Sequence, residues 1–430
     1  MPITSDQSTR ATFPLSFGQQ RLWFLDQLTP GNPAYHVRTA VRLVGPLNVM
    51  ALERCLNGII YRHEILRTTF GEVGGQPIQI VADHLALQVQ IIDLQHHPDA
   101  HTEKVVQSCT VDEVRRPFNL TQGPLLRAVL LRLHPTEHIL LLTMHHIITD
   151  GWSVGVFIRE LCILYSASFQ KSSSPLPNLP FQYADYALWQ RQWLQGNEFP
   201  AQLAYWKDRL FGIPPRLALP ADRSRALVQT FSGAIERFQL TAPLSTALRT
   251  LGQRNNVTSF MTLVTAFKVL LGYLTGEEDI VVGSPIANRN RRELEGLIGF
   301  FVNYLVLRTR LDGNPTFSAL LQRVRQTALG AYAHQDLPFD KLVEELQPKR
   351  DLSCHPLFQF IFSLQNIPQQ AVELPGIALT RMEIDSGTSK VDLMIEMREA
   401  ESGFVGFVEY NTDLFGSATI KKVIFCFISI

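Results

Sequence analysis

Residues 138–153 read His138-Ile-Leu-Leu-Leu-Thr-Met-His145-His146-Ile-Ile-Thr-Asp150-Gly151-Trp152-Ser153. The run Ile139 to Leu142 is unbroken, apolar and of strand length, the pattern of a central strand covered on both faces. Two histidines, an aspartate and a glycine follow where such a strand ends. Polar side chains at the tip of a buried strand stand on a rigid support, so this cluster is the candidate site. Ser153 is positioned to cap a following helix, with Val154, Phe157, Ile158, Leu161, Leu164 and Tyr165 as its apolar face.

Working outward toward the N-terminus, residues 1–11 are polar and expected to fray. Ser16 caps an expected helix carrying Leu22 and Leu25. Tyr35 to Gly45 alternates as a strand. Leu52, Leu56, Ile59 and Ile60 recur at helical spacing before the charged stretch Arg62 to Phe70. Pro77 to Ile92 holds strand-like pieces, residues 102–116 read as helix, and Leu125 to Leu133 as strand. Toward the C-terminus, Lys171 to Pro180 breaks all periodicity and reads as a linker. Tyr183 to Trp193 resumes as a helix anchored by aromatics, continued by Leu203 to Leu210. After an irregular stretch to Arg225 come a strand at Ile235 to Leu240 and an amphipathic helix with Phe260, Leu263, Val264, Phe267, Leu270, Leu271 and Leu274 on one face. Gly276 closes that helix as a C′ glycine. Asp279 to Arg289 reads as a short buried strand ending in a polar turn, and Gly299 to Arg308 as an apolar segment holding Asn303. A helix from Phe317 to His334 and strands at Phe358 to Phe362 and Val405 to Tyr410 complete the chain. Strands alternate with helices in both halves, which gives an α/β fold. The order helix, strand, polar tip recurs, so two lobes of related build are expected, residues 1–178 and 179–430.

Composition narrows the function classes. The 430 residues are 46% hydrophobic and 18% charged with zero formal net charge, as in an ordinary globular protein. No basic stripe offers itself to nucleic acid. Cys55, Cys109, Cys162, Cys354 and Cys426 are scattered without C-x-x-C spacing, which argues against a disulfide framework or zinc site and for a reducing compartment. No signal peptide and no membrane span are expected. The protein is read as soluble and cytoplasmic.

The chemistry of the cluster has several readings. Adjacent histidines on one strand point to opposite faces, and H-E-x-x-H spacing is absent, so a metal is disfavoured. No G-x-S-x-G elbow supports a serine triad. General acid–base work by one histidine fits, since an imidazole titrates near neutral pH. Asp150 then either orients the imidazole or pairs with an arginine, and Gly151 lets a substrate approach the backbone. Spacing alone supports equally well two buried, hydrogen-bonded histidines with no catalytic part.

His145-His146-Ile-Ile-Thr-Asp150-Gly151 resembles the HHxxxDG signature of the condensation domains of nonribosomal peptide synthetases. Other segments resemble that family's motifs in order: Ser16 to Leu25, Arg62 to Phe70, Tyr183 to Trp189, Ile298 to Arg308, His334 to Val343 and Arg350 to Phe358. The form SFGQQRLWFL is similar to the subtype joining an L-residue donor to an L-residue acceptor. The resemblance implies two chloramphenicol-acetyltransferase-like lobes forming a V-shaped pseudo-dimer. It implies amide-bond formation between a donor acyl or peptidyl thioester and the α-amine of an acceptor aminoacyl thioester. Both would ride on phosphopantetheine arms of donor and acceptor peptidyl carrier proteins, with adenylation domains or other synthetase modules as further partners and no bound cofactor.

By that resemblance His146, Asp150 and Gly151 are the catalytic residues, His146 as base or as the residue that aims the amine. His145 is structural, and Asp150 pairs with Arg289 from the second lobe. Arg62, Asn303, Trp152 and Ser153 line the active site. Tyr304 stands where Thr is usual, and Cys354-His355 where Arg-Asn is common. The tail from Val423 to Ile430 is apolar without polar spacing, and the second lobe is expected to be truncated there. Two alternatives use the same signature: a non-catalytic module that docks carriers, and an acyltransferase acting on coenzyme A thioesters. Epimerisation fits the first and fifth motifs less well.

Overall fold

A computed structural model describes residues 11–96, 103–169, 175–217, 219–349, 351–365, 374–382 and 384–430. Residues 1–10, residue 102, part of the expected linker (171–174) and Arg350 lie outside them. The chain divides into two compact units. One comprises Met1–Gly196, Arg289–Phe301 and Pro368–Ser386, and the other comprises Asn197–Asn288, Val302–Ile367 and Gly387–Ile430. A single cut after residue 178 was expected. The helix Tyr183–Trp193 instead belongs with the first unit, as does the excursion through Arg289–Phe301.

In the first unit a five-stranded sheet runs in the order Ala378–Met382, His36–Val44, Glu137–His145, Leu126–His134, Gln90–Asp93. The apolar run of the opening motif is therefore its central strand. It pairs antiparallel on both sides, with Ala40 opposite Leu141 and Val129 opposite Leu141. Alternation sends Ile139 and Leu141 to one face, where they pack with Ala40, Val129, Leu131 and Val106 of the helix Glu103–Arg115. Leu140, Leu142 and Met144 on the other face are equally buried. Burial on both faces removes the need for polar alternation, which explains the continuous apolar run. A second, three-stranded sheet joins Ala11–Pro14, Gln76–Val81 and Thr68–Val73. The helix Val49–Arg62 is capped by Asn48 and buries Leu52, Leu56, Ile59 and Ile60.

The second unit is a six-stranded mixed sheet in the order Asn303–Arg310, Asp279–Ile286, Phe360–Gln365, Leu393–Ala400, Gly403–Asn411, Gly233–Gln239. Its helix Ser259–Thr275 ends on Gly276 in the left-handed conformation (φ 73°), as a C′ glycine does. The amphipathic reading of this helix is corrected. Met261 through Lys268 are all buried, because the helix is packed on nearly every side, and a helix enclosed in this way carries no polar face. The apolar tail also forms a helix, Ser417–Ser429, which buries Ile420, Val423, Ile424 and Phe427. That three- and four-residue spacing is helical even without charges between. Asp222 ties down its start, accepting from the Gly416 amide (2.7 Å) and the Thr419 hydroxyl (2.8 Å).

Lys268 is fully buried and donates to the Leu307 carbonyl (2.5 Å) and the Thr309 hydroxyl (3.0 Å). Burial pulls its ammonium pKa down to about 7, with Asp279 opposing. Below that value both folded and unfolded chains carry the proton. Above it, until the ordinary lysine range, only the unfolded chain does, so folding releases a proton and stability rises with pH. Urea unfolding at pH 7 and pH 9 should show the wild type gaining on the order of 2 kcal/mol from this group. Lys268→Met should flatten that rise, and an unchanged pH dependence in the variant would exclude Lys268 as its source.

Candidate active site

The central strand ends at His145, and His146–Ile148 form a single 3-10 turn before the helix Gly151–Phe169. The two histidines therefore differ by more than strand alternation. His145 is buried, its Nδ1 accepting from the Ile147 amide (3.1 Å), with the rings of His36 and Phe118 edge-on at 6.0 and 6.3 Å. His146 is half-buried, and its Nδ1 lies 2.8 Å from the Thr149 carbonyl. A carbonyl only accepts, so Nδ1 carries the proton and the neutral ring has its basic lone pair on Nε2. A backbone carbonyl thus sets the tautomer; Asp150 does not.

Asp150 has no accessible surface. Its Oδ1 accepts from the Ser153 amide (2.8 Å) and from Arg289 Nη2 (3.3 Å), and its Oδ2 accepts from the Phe301 amide (3.0 Å). Asp150, not Ser153, is therefore the helix cap, which corrects the expected boundary. Ser153 is inside the first turn, fully buried. Its hydroxyl donates to the Gly299 carbonyl (2.9 Å) and accepts from the Gly299 amide (3.1 Å) and Arg289 Nη2 (2.7 Å). Its one donor and two acceptor positions are thereby all used.

Arg289 meets Asp150 within the first unit, the expected pairing, although the residue was assigned to the second lobe. Its Nη1 donates to the carbonyls of Leu294 and Leu297. Its guanidinium lies 4.0 Å from the Phe301 ring centroid. Burial pushes the Arg289 pKa down and Asp150 opposes that shift.

The remaining expected residues divide. Trp152 is partly exposed and donates its indole N–H to the Glu295 carbonyl (2.9 Å). Gly151 is exposed, and nothing lies within 4 Å of where a Cβ would stand. Arg62 is held by Glu160 (3.0 Å), which also accepts from His63 Nε2 (2.9 Å). Burial alone would raise the Glu160 carboxyl, but His63 and Arg62 outweigh it and hold it below the usual carboxylate range. Asn303 belongs to the second unit. There its amide donates to the carbonyls of Gln335 (2.9 Å) and Leu337 (2.8 Å) and accepts from the Phe339 amide (2.8 Å), so it staples a strand to a loop. Among the described residues no group of three or more His, Cys, Asp or Glu side chains is arranged to hold a metal ion.

Sequence reading missed three contributors. Phe300 sets its ring edge-on to His146, centroids 5.0 Å apart. Tyr183, treated above as a core aromatic, donates its hydroxyl to the Phe300 carbonyl (2.6 Å). Gln19 donates to the Ile147 carbonyl (3.2 Å). The available signal was their place inside motif-like segments, since hydrophobic periodicity says nothing of such contacts.

The family described as Condensation domain matches residues 9–430. A linear gramicidin synthase chain of Brevibacillus parabrevis is 49% identical over 418 residues, covering 97% of this chain and 8% of that protein. Phosphinothricin tripeptide synthetase PhsC of Streptomyces viridochromogenes is 44% identical over 413 residues, covering 95% of this chain and 38% of that protein. The chain thus spans well under half the length of these curated relatives. Among solved structures, the X-domain in its complex with OxyB from teicoplanin biosynthesis has a TM-score of 0.87 at 27% identity, over 99% of this chain and 94% of that one. This agrees with the chloramphenicol-acetyltransferase-like α/β fold that the motifs implied. A family match across nearly every residue, with curated relatives close to half identical, places the chain in the condensation-domain family.

Proposed function

We propose that the chain forms an amide bond between a donor acyl or peptidyl thioester and the α-amine of an acceptor aminoacyl thioester, each held on the phosphopantetheine arm of a carrier protein. Adenylation domains or other synthetase modules load those carriers, and the chain needs no cofactor of its own. Amide-bond formation between carrier-bound substrates is the general activity of the family. The observation that carries the reading here is His146, half-buried, with its Nδ1 proton committed to the Thr149 carbonyl. Five free thiols fit a reducing, cytoplasmic setting.

The amine nitrogen attacks the thioester carbonyl, the C–S bond breaks, and the thiolate leaves with a proton. His146 Nε2 accepts the ammonium proton or the hydrogen bond that aims the amine. An α-amine with a pKa of about 8 is already partly neutral at cellular pH, so aiming contributes at least as much as abstraction. Asp150 cannot touch substrate through surface it does not have, and we assign it and Arg289 to holding the loop. Open space at Gly151 is taken as room for the substrate.

A second reading is recruitment without turnover, favoured by the likeness to an X-domain in complex with OxyB. Loaded donor and acceptor carriers discriminate: binding with no peptide would support recruitment, and product from coenzyme A thioesters would favour a soluble-acyl acyltransferase.

Peptide formation from two loaded carriers should fall ~10²–10⁴-fold in His146→Ala, with the thermal midpoint retained. An unchanged rate would remove His146 from the chemistry. Asp150→Asn leaves the Arg289 charge buried without its partner and should cost roughly 3–5 kcal/mol in denaturant unfolding. Its folded fraction should keep more activity than His146→Ala, and the reverse order would return Asp150 to the chemistry. Gly151→Ala should fold at least as stably as wild type while slowing product formation. Full activity in that variant would show that the open space is not used.

A further inference from the structure

The backbone around Phe300 belongs to no helix or strand, and side chains of the first unit hold it. The peptide joining Phe300 to Phe301 is gripped at both ends. Its carbonyl accepts from the Tyr183 hydroxyl (2.6 Å), and its N–H donates to Asp150 Oδ2 (3.0 Å). The preceding peptide is held at the Gly299 carbonyl by Ser153 (2.9 Å). With a peptide plane restrained on each side of its Cα, Phe300 has its backbone dihedrals set, which narrows the rotamers open to the ring that stands against His146.

The grip has a defined origin. Tyr183 spends its one hydroxyl proton on the Phe300 carbonyl, so its contact with Ser16 Oγ (2.8 Å) is one in which Ser16 donates. Ser16 Oγ in turn accepts from the Gln19 amide (3.2 Å), and Gln19 Oε1 accepts from the Ser16 amide (3.1 Å), which closes a capping box on the helix Phe17–Leu28. The Gln19 side-chain Nε2 then donates to the Ile147 carbonyl (3.2 Å), in the turn that begins at His146. One capping box thus reaches both members of the ring pair, His146 through Gln19 and Phe300 through Tyr183. Burial raises the Tyr183 phenol well above its usual range, which keeps it a neutral donor. Gly299 completes the fit: a Cβ there would stand 2.0 Å from the Tyr183 ring.

We propose that Tyr183, anchored by the Ser16–Gln19 capping box, is a positioning residue that fixes Phe300 against His146 and so sets the orientation of the reacting histidine. The proposal rests on the amide-forming reading for its kinetic consequence, and on geometry alone for its effect on His146.

The test compares Tyr183→Phe with Tyr165→Phe in the full chain. Tyr165 is also fully buried and accepts from the Asn48 amide (2.9 Å), so each variant loses one buried hydroxyl. With loaded carriers, Tyr183→Phe should lower kcat about tenfold to a hundredfold while KM stays within about twofold; Tyr165→Phe should leave kcat unchanged. Gly299→Ala, which displaces the Tyr183 ring, should follow Tyr183→Phe. In a Phe300→Leu background Tyr183→Phe should add nothing. Independently of turnover, the titration midpoint of His146, followed by NMR in histidine-labelled protein, should move in Tyr183→Phe and not in Tyr165→Phe. Matching kcat values in the two tyrosine variants, or an unmoved midpoint, would overturn the proposal. A wild type that makes no peptide, with the midpoint still moved by Tyr183→Phe, would sink the amide-forming reading and leave the positioning role standing.

Discussion

A carboxylate without accessible surface must find its neutralisation inside the protein, and Asp150 sets that requirement for the first unit. It is met by one guanidinium and two backbone amides, two of these three partners coming from Arg289–Phe301. A segment some 140 positions along the chain is thereby fastened to the tip of the central strand. Burial weakens the case for a charged Arg289, and Asp150 restores it, so each ion is tolerable because the other is present. The discontinuous make-up of the unit follows from this mutual dependence as much as from apolar packing.

The fastened segment makes no ladder, so its polar backbone groups have to be met by side chains. Ser153, Asp150, Tyr183 and His63 do this for residues 298–301, the last accepting from the Ile298 amide at 3.4 Å. Asn303 does the same in the second unit for the loop at Gln335–Phe339. Residues of this kind sit in motif-like segments and serve the backbone around them. Their identity is set by hydrogen-bond geometry: an apolar residue of equal size would leave buried donors or acceptors without partners.

Much of the architecture was legible along the chain. Ser16 as a cap, the strand at His36–Val44, the face of Val49–Arg62 and the C′ glycine at Gly276 all follow from local preferences with short reach. Readings failed where packing overrode the local signal. The helix Ser259–Thr275 is enclosed on nearly all sides, and so its lysine is inside. Ser153 looks like a cap by residue type, yet Asp150, three positions earlier, takes that role and frees the serine hydroxyl for Gly299.

The site divides in the same way. The sequence by itself determined that a buried apolar strand ends in two histidines, an aspartate and a glycine, because a run that long and apolar needs cover on both faces and its polar end must lie at the edge. Only the tertiary structure decided which histidine is enclosed, that a backbone carbonyl sets the tautomer of the other, and that Phe300 and Tyr183 stand behind it. The contacts of Phe300 and Tyr183 bring together groups more than a hundred residues apart within about 3–5 Å, and local preferences carry no information about contacts at that range.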